Sequence, residues 1–249
     1  MQTAIASDQR HLPEVQAAET ILRTCVHCGF CNATCPTYQL WGTELEGPRG
    51  RIYLIKSLLE GRTGLTQSLV SHLDNCLGCM ACETTCPSGV RYSHLIDPAR
   101  ARIEQGYKRG ILARLQRRLL ATVLPRPKLF RFSLRLSGLA RPFRALLPAG
   151  LRAMVEQAPR RLPPRSKLDR PGVIPAEGPR RARVALLTGC AQQVVGPQIN
   201  DATIRFLTRI GCDVVLPKEQ GCCGALVFHM GNEPHSLPLM RNDINVWHA

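Results

Sequence analysis

The chain has 249 residues, enough for one or two domains, and it contains no apolar stretch long enough to cross a bilayer. Its formal charge of +15 is concentrated in residues 100–183, which contain 22 Lys and Arg residues but only four Asp and Glu residues. Its twelve cysteines are grouped like metal ligands and follow no secretory leader. These features argue against a small disulfide-stapled secreted domain and indicate a reducing, cytoplasmic compartment.

Residues 12–24 are predicted to form a helix that leads into the first of two similar cysteine runs. Each run reads Cys-x2-Cys-x2-Cys-x3-Cys-Pro, and the second begins 51 residues after the first. The first run consists of Cys25, Cys28, Cys31 and Cys35, and the second of Cys76, Cys79, Cys82 and Cys86. This doubled pattern is typical of ferredoxins that carry two clusters.

Between and after the runs, the sequence predicts an irregular loop at residues 38–45 and three helices. The first of these helices begins at Pro48 and ends near Gly61, the second covers residues 66–75, and the third covers residues 92–105. Because helices flank both runs, the sequence favours a mainly α-helical ferredoxin domain over residues 1–110 rather than a small β-rich one.

The spacing also predicts which cysteines share a cluster. Three thiolates at three-residue intervals can surround one corner of a cubic cluster, whereas the fourth cysteine precedes a proline that turns the chain away and so reaches the other cluster. We therefore expect two [4Fe–4S] clusters, the first held by Cys25, Cys28, Cys31 and Cys86 and the second by Cys76, Cys79, Cys82 and Cys35. Structural zinc is the main alternative, but zinc sites usually present two Cys-x2-Cys pairs separated by a longer loop.

Residues 111–180 are predicted to be a basic, proline-rich helical connector. Residues 111–124 suit a basic amphipathic helix, and residues 157–180 have the composition of a linker. A block with a net charge of +18 over residues 100–183 suits an acidic partner, nucleic acid or the anionic inner face of the cytoplasmic membrane. Its few aromatic residues argue against nucleic acid, because single strands are bound largely by base stacking.

Residues 181–249 are predicted to form an incomplete parallel α/β domain. A strand at Val184–Leu187, a helix over residues 198–210 and a strand at Cys212–Leu216 make a βαβ unit, and another helix begins at Ala225. Three cysteines follow these strands, at the sheet edge where ligands bind: Cys190, Cys222 and Cys223. They are either metal or redox ligands or unligated thiols of the core, and Cys212 is predicted to be a core residue.

The residues from Cys25 to Lys56, CVHCGFCNATCPTYQLWGTELEGPRGRIYLIK, closely resemble the iron–sulfur subunit of glycolate oxidase, as do Val123–Phe130 and Leu186–Gln192. The spacing from Cys190 to Cys222-Cys223-Gly224 resembles the first part of the cysteine-rich CCG domain of heterodisulfide-reductase-type proteins. The first resemblance implies an electron-transfer subunit that accepts electrons from FAD on partner flavin-binding subunits and passes them towards a quinone. Anaerobic glycerol-3-phosphate dehydrogenase, lactate-utilisation and heterodisulfide-reductase-like complexes share this module layout and stay as alternatives.

No residue of this chain is predicted to be catalytic. The sequence has no G-x-G-x-x-G dinucleotide fingerprint. His27, His72 and His94 lie near the cysteine runs and are expected at the surface or around the ligands rather than as general bases. Arg49 and Arg51, near the helix start at Pro48, are candidates to donate to cluster sulfurs or to pair with a partner carboxylate, but we expect both to be solvated helix residues. The hydroxy-acid chemistry is therefore expected on partner subunits.

Overall fold

The computed structural model describes residues 1–248, which divide into two compact units. The first unit consists of Met1–Lys108 together with Phe228–Glu233, and the second consists of Arg109–Val227 and the described residues from Pro234 onward. The predicted fold class is confirmed, since the N-terminal part is helical and the C-terminal part contains a small sheet with helices. Within residues 1–248, no helix combines the length and apolarity that a membrane span requires.

The first unit is built from six helices and two short 3-10 turns, at Phe30–Asn32 and Glu44–Glu46. The helices are α1 (Pro13–Thr24), α2 (Pro36–Trp41), α3 (Pro48–Leu59), α4 (Gln67–Asp74), α5 (Ala81–Thr85) and α6 (Ser93–Gly106). Prolines occupy the first turn of α1, α2 and α3, where the missing N–H has no partner to lose. The Thr66 side chain caps α4 by accepting a hydrogen bond from the Leu69 N–H at 3.2 Å.

The core of this unit lies between α1, α3, α4 and α6 and is almost entirely aliphatic. Its least exposed members, none more than 2% exposed, include Leu22, Ile55, Leu73, Leu95, Ile96 and Ile103. Because these side chains recur at helical spacing, the four predicted helices pack on one another and fix the ends of the loops that carry the cysteines.

The prediction of an irregular loop at residues 38–45 is wrong. Helix α2 covers its first half, up to Trp41, and the 3-10 turn Glu44–Glu46 begins after Gly42 and Thr43. Pro36 fixes the first turn of α2, and Gly42 ends it in the left-handed region with φ +65°. The start signal Pro36 and the stop signal Gly42 are both present in the sequence. The helix between them has only about one and a half turns, which is too short to show an apolar periodicity.

The second unit begins with helices α7 (Ile111–Val123), α8 (Pro127–Ala140) and α9 (Ala149–Gln157), with a 3-10 segment at Arg141–Leu146. Strands β1 (Gly172–Ile174) and β2 (Ala182–Ala185) follow, then helices α10 (Gln192–Val195) and α11 (Pro197–Arg209) and strand β3 (Cys212–Leu216). Helices α12 (Ala225–His229) and α13 (Glu233–His248) complete the described chain. The helix predicted from Ala225 is therefore interrupted after His229.

The sheet has the order β1-β3-β2. Strands β2 and β3 are parallel, with Val184 opposite Val214, and α11 connects them, so the predicted βαβ unit is confirmed. Val214 and Leu216 of β3 are buried with Ile204 of α11. Strand β1 adds to β3 in the antiparallel direction, and it comes from the proline-rich segment that was predicted to be a linker.

Candidate metal centres

The eight cysteines of the two runs line two cavities. The first cavity is lined by Cys25, Cys28, Cys31, Cys82 and Cys86, and the second by Cys35, Cys76, Cys79 and Cys82. Each cavity thus brings together the three leading cysteines of one run and the last cysteine of the other. Since Cys82 lines both cavities, the two share a wall.

The loops around the cavities have the same backbone shape although their residues differ. The first loop enters the left-handed region at His27 (φ +58°) and Gly29 (φ +84°), and the second does so at Gly78 (φ +65°) and Met80 (φ +55°). These are equivalent positions of the two runs. Alternation of this kind turns successive N–H groups towards a common centre and makes an anion-binding concavity, as at many iron–sulfur sites. Two residues other than glycine accept the strain that this shape requires.

The chemistry of the donor sets fits iron–sulfur clusters. Four thiols per cavity are the usual ligand set of a [4Fe–4S] cluster. Burial, reinforced by the neighbouring Cys25, raises the pKa of Cys31 to about 11, and burial with Cys76 raises the pKa of Cys82 to about 12. These thiols are protonated at neutral pH without a metal, so ligation must release their protons.

Arg51 is buried beside the second cavity, so the expectation that it is a solvated residue is wrong. It is 1% exposed, and its Nη1 lies 3.9 Å from the Cys35 Sγ. Its Nη2 donates to the Thr37 hydroxyl at 3.1 Å and to the Glu46 carboxylate at 2.8 Å. The Thr37 oxygen in turn lies 3.2 Å from the Cys35 Sγ. The Thr37 hydroxyl has one proton, and it donates to the Glu46 carbonyl oxygen at 2.7 Å.

The Glu46 carboxylate has two further partners besides Arg51. Its Oε1 lies 2.7 Å from His72 Nδ1 and accepts from Asn75 Nδ2 at 2.9 Å. Burial raises the pKa of Glu46, but the hydrogen bonds from Asn75 and His72 and the charge of Arg51 outweigh it and leave that pKa below its ordinary value. The carboxylate is therefore ionised, and it orients Arg51 towards the sulfur.

A similar ion pair lies beside the first cavity but is open to water. Arg49 lines that cavity and pairs with both carboxylate oxygens of Glu44, while its Nη1 donates to the His27 carbonyl at 3.4 Å. The side chains of Arg49 and Glu44 are 33% and 42% exposed. Thus one short segment, Glu44-Leu-Glu-Gly-Pro-Arg-Gly-Arg51, supplies an exposed pair to one cavity and a buried pair to the other.

Tyr92 is a site residue that the sequence did not reveal. It is 3% exposed, and its hydroxyl donates to the Cys76 Sγ at 3.7 Å. Burial and the nearby Cys76 raise its pKa well above the ordinary value, so the hydroxyl keeps its proton. Its position six residues after Cys86 carries no pattern that would have distinguished it from an ordinary core tyrosine.

The second unit brings together two of its three candidate ligands. Cys190 Sγ lies 3.4 Å from Cys222 Sγ, whereas the side chain of Cys223 is exposed. The hydrogen bond from Cys222 lowers the pKa of Cys190 to about 7 and raises the pKa of Cys222. Cys212 is buried in β3, as predicted. Among residues 1–248, no three His, Cys, Asp or Glu side chains are placed to hold a single metal ion.

Comparisons with known proteins agree with this geometry. The chain is 45% identical to the "Glycolate oxidase iron-sulfur subunit" of Escherichia coli over 99% of its own length and 57% of that relative. This chain is similar to the glycolate oxidase iron–sulfur subunits. It is also 36% identical to the "Probable glycolate oxidase iron-sulfur subunit" of Bacillus subtilis, over 92% of this chain and 54% of the relative.

Two domain families match this chain. Residues 21–90 match the 4Fe-4S dicluster domain, and residues 184–249 match the cysteine-rich domain. A component of the dihydromethanophenazine:CoB--CoM heterodisulfide reductase of Methanosarcina mazei is 26% identical over 90% of this chain and 50% of that component. The chain thus spans little more than half the length of these relatives, and no solved structure matches it significantly.

Proposed function

We propose that this chain is an electron-relay subunit in which two [4Fe–4S] clusters are held by the two cavities. Cys25, Cys28, Cys31 and Cys86 would hold the first cluster, and Cys35, Cys76, Cys79 and Cys82 the second. The observation that carries this proposal is the pair of adjoining four-thiol cavities, which share a wall at Cys82. Neighbouring clusters would supply one-electron steps, and the surrounding thiolates and N–H groups would hold them and adjust their potentials.

The similarity to glycolate oxidase subunits supports a place in a complex that oxidises a 2-hydroxy acid. Oxidation of glycolate to glyoxylate releases two electrons and two protons, which FAD on partner flavin-binding subunits would accept together. This chain would carry the electrons onward singly to a quinone, which takes up two electrons and two protons to become a quinol. The chain contributes no catalytic residue to the oxidation in this proposal.

Counting iron and sulfide tests the ligand assignment. The anaerobically purified chain should contain about eight irons, and fewer than about seven would contradict two complete clusters. Cys35→Ala and Cys86→Ala should each lose about half of the iron, because each removes the last ligand of one cavity. Cys212→Ala is the matched control and should lose none, since Cys212 is buried in β3. Iron above eight that disappears in Cys190→Ala would assign further metal to the Cys190–Cys222 pair.

Purification of the intact complex tests the partners. The proposal expects co-purifying flavoprotein chains whose FAD is bleached by glycolate under anaerobic conditions, with reduction of the clusters following. Bleaching by glycerol 3-phosphate or by lactate, and not by glycolate, would instead favour one of the related complexes. The heterodisulfide-reductase-like alternative expects no response to any of these three substrates.

We also propose that α7 and α8 contact the anionic inner face of the cytoplasmic membrane. Both helices present large apolar side chains to solvent at helical spacing: Leu112, Leu115 and Leu119 on α7, and Phe132, Leu136 and Leu139 on α8. No Asp or Glu occurs between Glu104 and Glu156, while Arg and Lys recur throughout. A basic, apolar surface of this kind suits an anionic interface.

Liposome flotation tests this contact. The chain should float with vesicles that contain anionic lipid, and binding should weaken with salt and with neutral lipid. Leu115→Glu with Leu136→Glu should abolish flotation while leaving the iron content unchanged. Absence of flotation with anionic vesicles would remove the membrane proposal and favour a protein partner for this surface.

A further inference from the structure

The two cavities differ in what surrounds their sulfur atoms. Two side chains of the first unit approach the sulfurs of the second cavity with N–H or O–H donors: Arg51 reaches Cys35, and Tyr92 reaches Cys76. At the first cavity, the corresponding contact to Cys86 is the backbone N–H of Val90, at 3.4 Å from its Sγ. The runs themselves are near repeats, so this difference comes from the rest of the fold.

Buried positive charge is also unequally divided. Arg51 is 1% exposed, and Arg100, 9% exposed, donates to the carbonyl oxygens of Leu73 and Cys76. On the first side, the cations are Arg49 and the N-terminal ammonium, which donates to the Cys25 carbonyl at 2.6 Å. Those two cations donate to carbonyls and a carboxylate rather than to sulfur, and the Arg49 side chain is one-third exposed. Water and salt screen an exposed charge much more than they screen a buried one.

We propose that Arg51, assisted by the Tyr92 hydroxyl, makes the cluster at Cys35, Cys76, Cys79 and Cys82 the higher-potential one of the two. This inference rests on the proposed function. A reduced cluster carries one more negative charge than an oxidised one, so donors and cations aimed at its sulfurs stabilise the reduced form and raise the potential. Glu46 offsets part of the arginine charge, since its carboxylate accepts from Arg51 Nη2 at 2.8 Å, but the Nη1 group of Arg51 lies 3.9 Å from the Cys35 Sγ and is the one directed at the sulfur.

The direction of electron flow follows from this order. Electrons that enter at the first cavity would cross the wall at Cys82 and collect at the second. The flavin-binding partner should therefore dock near the first cavity, where Cys28 is exposed, and the acceptor near the second, where Cys79 is exposed.

Potentiometric titration of the reconstituted full-length chain, followed by EPR under anaerobic conditions, tests the assignment. Each cluster should give one reduction step, with dithionite as the electron donor. Arg51→Gln should lower the midpoint potential of the higher step. At the wild-type midpoint, the ratio of reduced to oxidised cluster should drop about tenfold, which corresponds to about 59 mV for a one-electron step. Arg51→Lys keeps the positive charge, so the midpoint potential of the higher step should stay close to its wild-type value. Arg49→Gln is the matched control and should move both steps by less than Arg51→Gln moves the higher one.

Tyr92→Phe keeps the test decisive if Arg51→Gln fails to fold or loses the second cluster. This change removes only a hydroxyl. It should lower the midpoint potential of the higher step so that the ratio of reduced to oxidised cluster at the wild-type midpoint falls about threefold. The inference is overturned if the lower step moves instead, or if both steps stay at their wild-type midpoints in a variant that retains eight irons. Fewer than about seven irons in the wild-type chain would instead refute the proposed function, so the two failures are distinguishable.

Discussion

Gly50 lies where α3 passes closest to the 3-10 turn that carries Glu44 and Glu46. A Cβ at Gly50 would collide with the Glu44 carbonyl oxygen, and it would lie 2.7 Å from the Glu44 carbonyl carbon and 2.9 Å from Leu45 Cα. Ordinary contacts of a Cβ begin at 3.4 Å, and all three obstacles here are backbone atoms that cannot swing away. Gly50→Ala must therefore displace the turn or α3.

The expected cost is set by two opposing effects. Overpacking of this kind costs up to about 3 kcal/mol, whereas replacing a glycine inside a helix with alanine returns about 0.5–1 kcal/mol. We expect a net loss of about 2 kcal/mol in the free energy of unfolding. For a unit of this size, that corresponds to a fall of roughly 8–15 °C in the thermal midpoint.

Thermal unfolding followed by far-UV circular dichroism measures this change. Gly64→Ala is the control, because nothing lies within 4 Å of a Cβ at Gly64. We expect its effect to stay within about 0.5 kcal/mol. A midpoint for Gly50→Ala that matches that of Gly64→Ala would refute the reasoning, and with it the close approach of the turn to α3.

Three further changes test other parts of the first unit by the same measurement. Leu22→Ala removes a side chain that is 0% exposed and should cost about 2–5 kcal/mol, so a loss below about 1 kcal/mol would contradict the tight packing of α1. Thr66→Ala removes the cap of α4 and should cost about 1 kcal/mol, whereas Thr66→Asn, which can also cap, should be nearly neutral. Glu60 accepts from the Ala4 N–H at 2.8 Å and pairs with Lys56, and although burial opposes ionisation, these partners hold its pKa below the ordinary 4.5. Because the pKa of Glu60 is lowered on folding, its ionised form stabilises the folded state above pH 4.5, and this stabilisation is lost as the pH falls through the pKa of the folded state. Glu60→Gln should therefore be less stable than wild type near neutrality, and the difference should shrink below pH 4.5. A difference that is constant with pH would contradict the ionised pairing of Glu60.

Helices α1, α3 and α4 were predictable because their evidence is local. Pro13, Pro48 and Thr66 mark helix starts, and the aliphatic residues that follow them recur every three or four positions. The βαβ unit was predictable for the same reason, since short runs rich in apolar residues mark its strands, although β2 (Ala182–Ala185) begins two residues before the predicted run. Strand β1 was not, because it forms only by pairing with β3, about forty residues later in the chain.

The site divides in the same way. The sequence by itself determined the two cysteine runs and the iron–sulfur chemistry that they predict, because ligand spacing is a property of a few consecutive residues. Only the tertiary structure decided that Arg51 is buried against Cys35, that Glu46 binds His72 and Asn75, and that Tyr92 reaches Cys76. These partners come from α3, the 3-10 turn, α4 and the segment before α6, and they meet only when the core between those helices closes. Burial removes the water that would otherwise screen an arginine, so the packing of the helices gives two nearly identical cysteine runs different electrostatic surroundings.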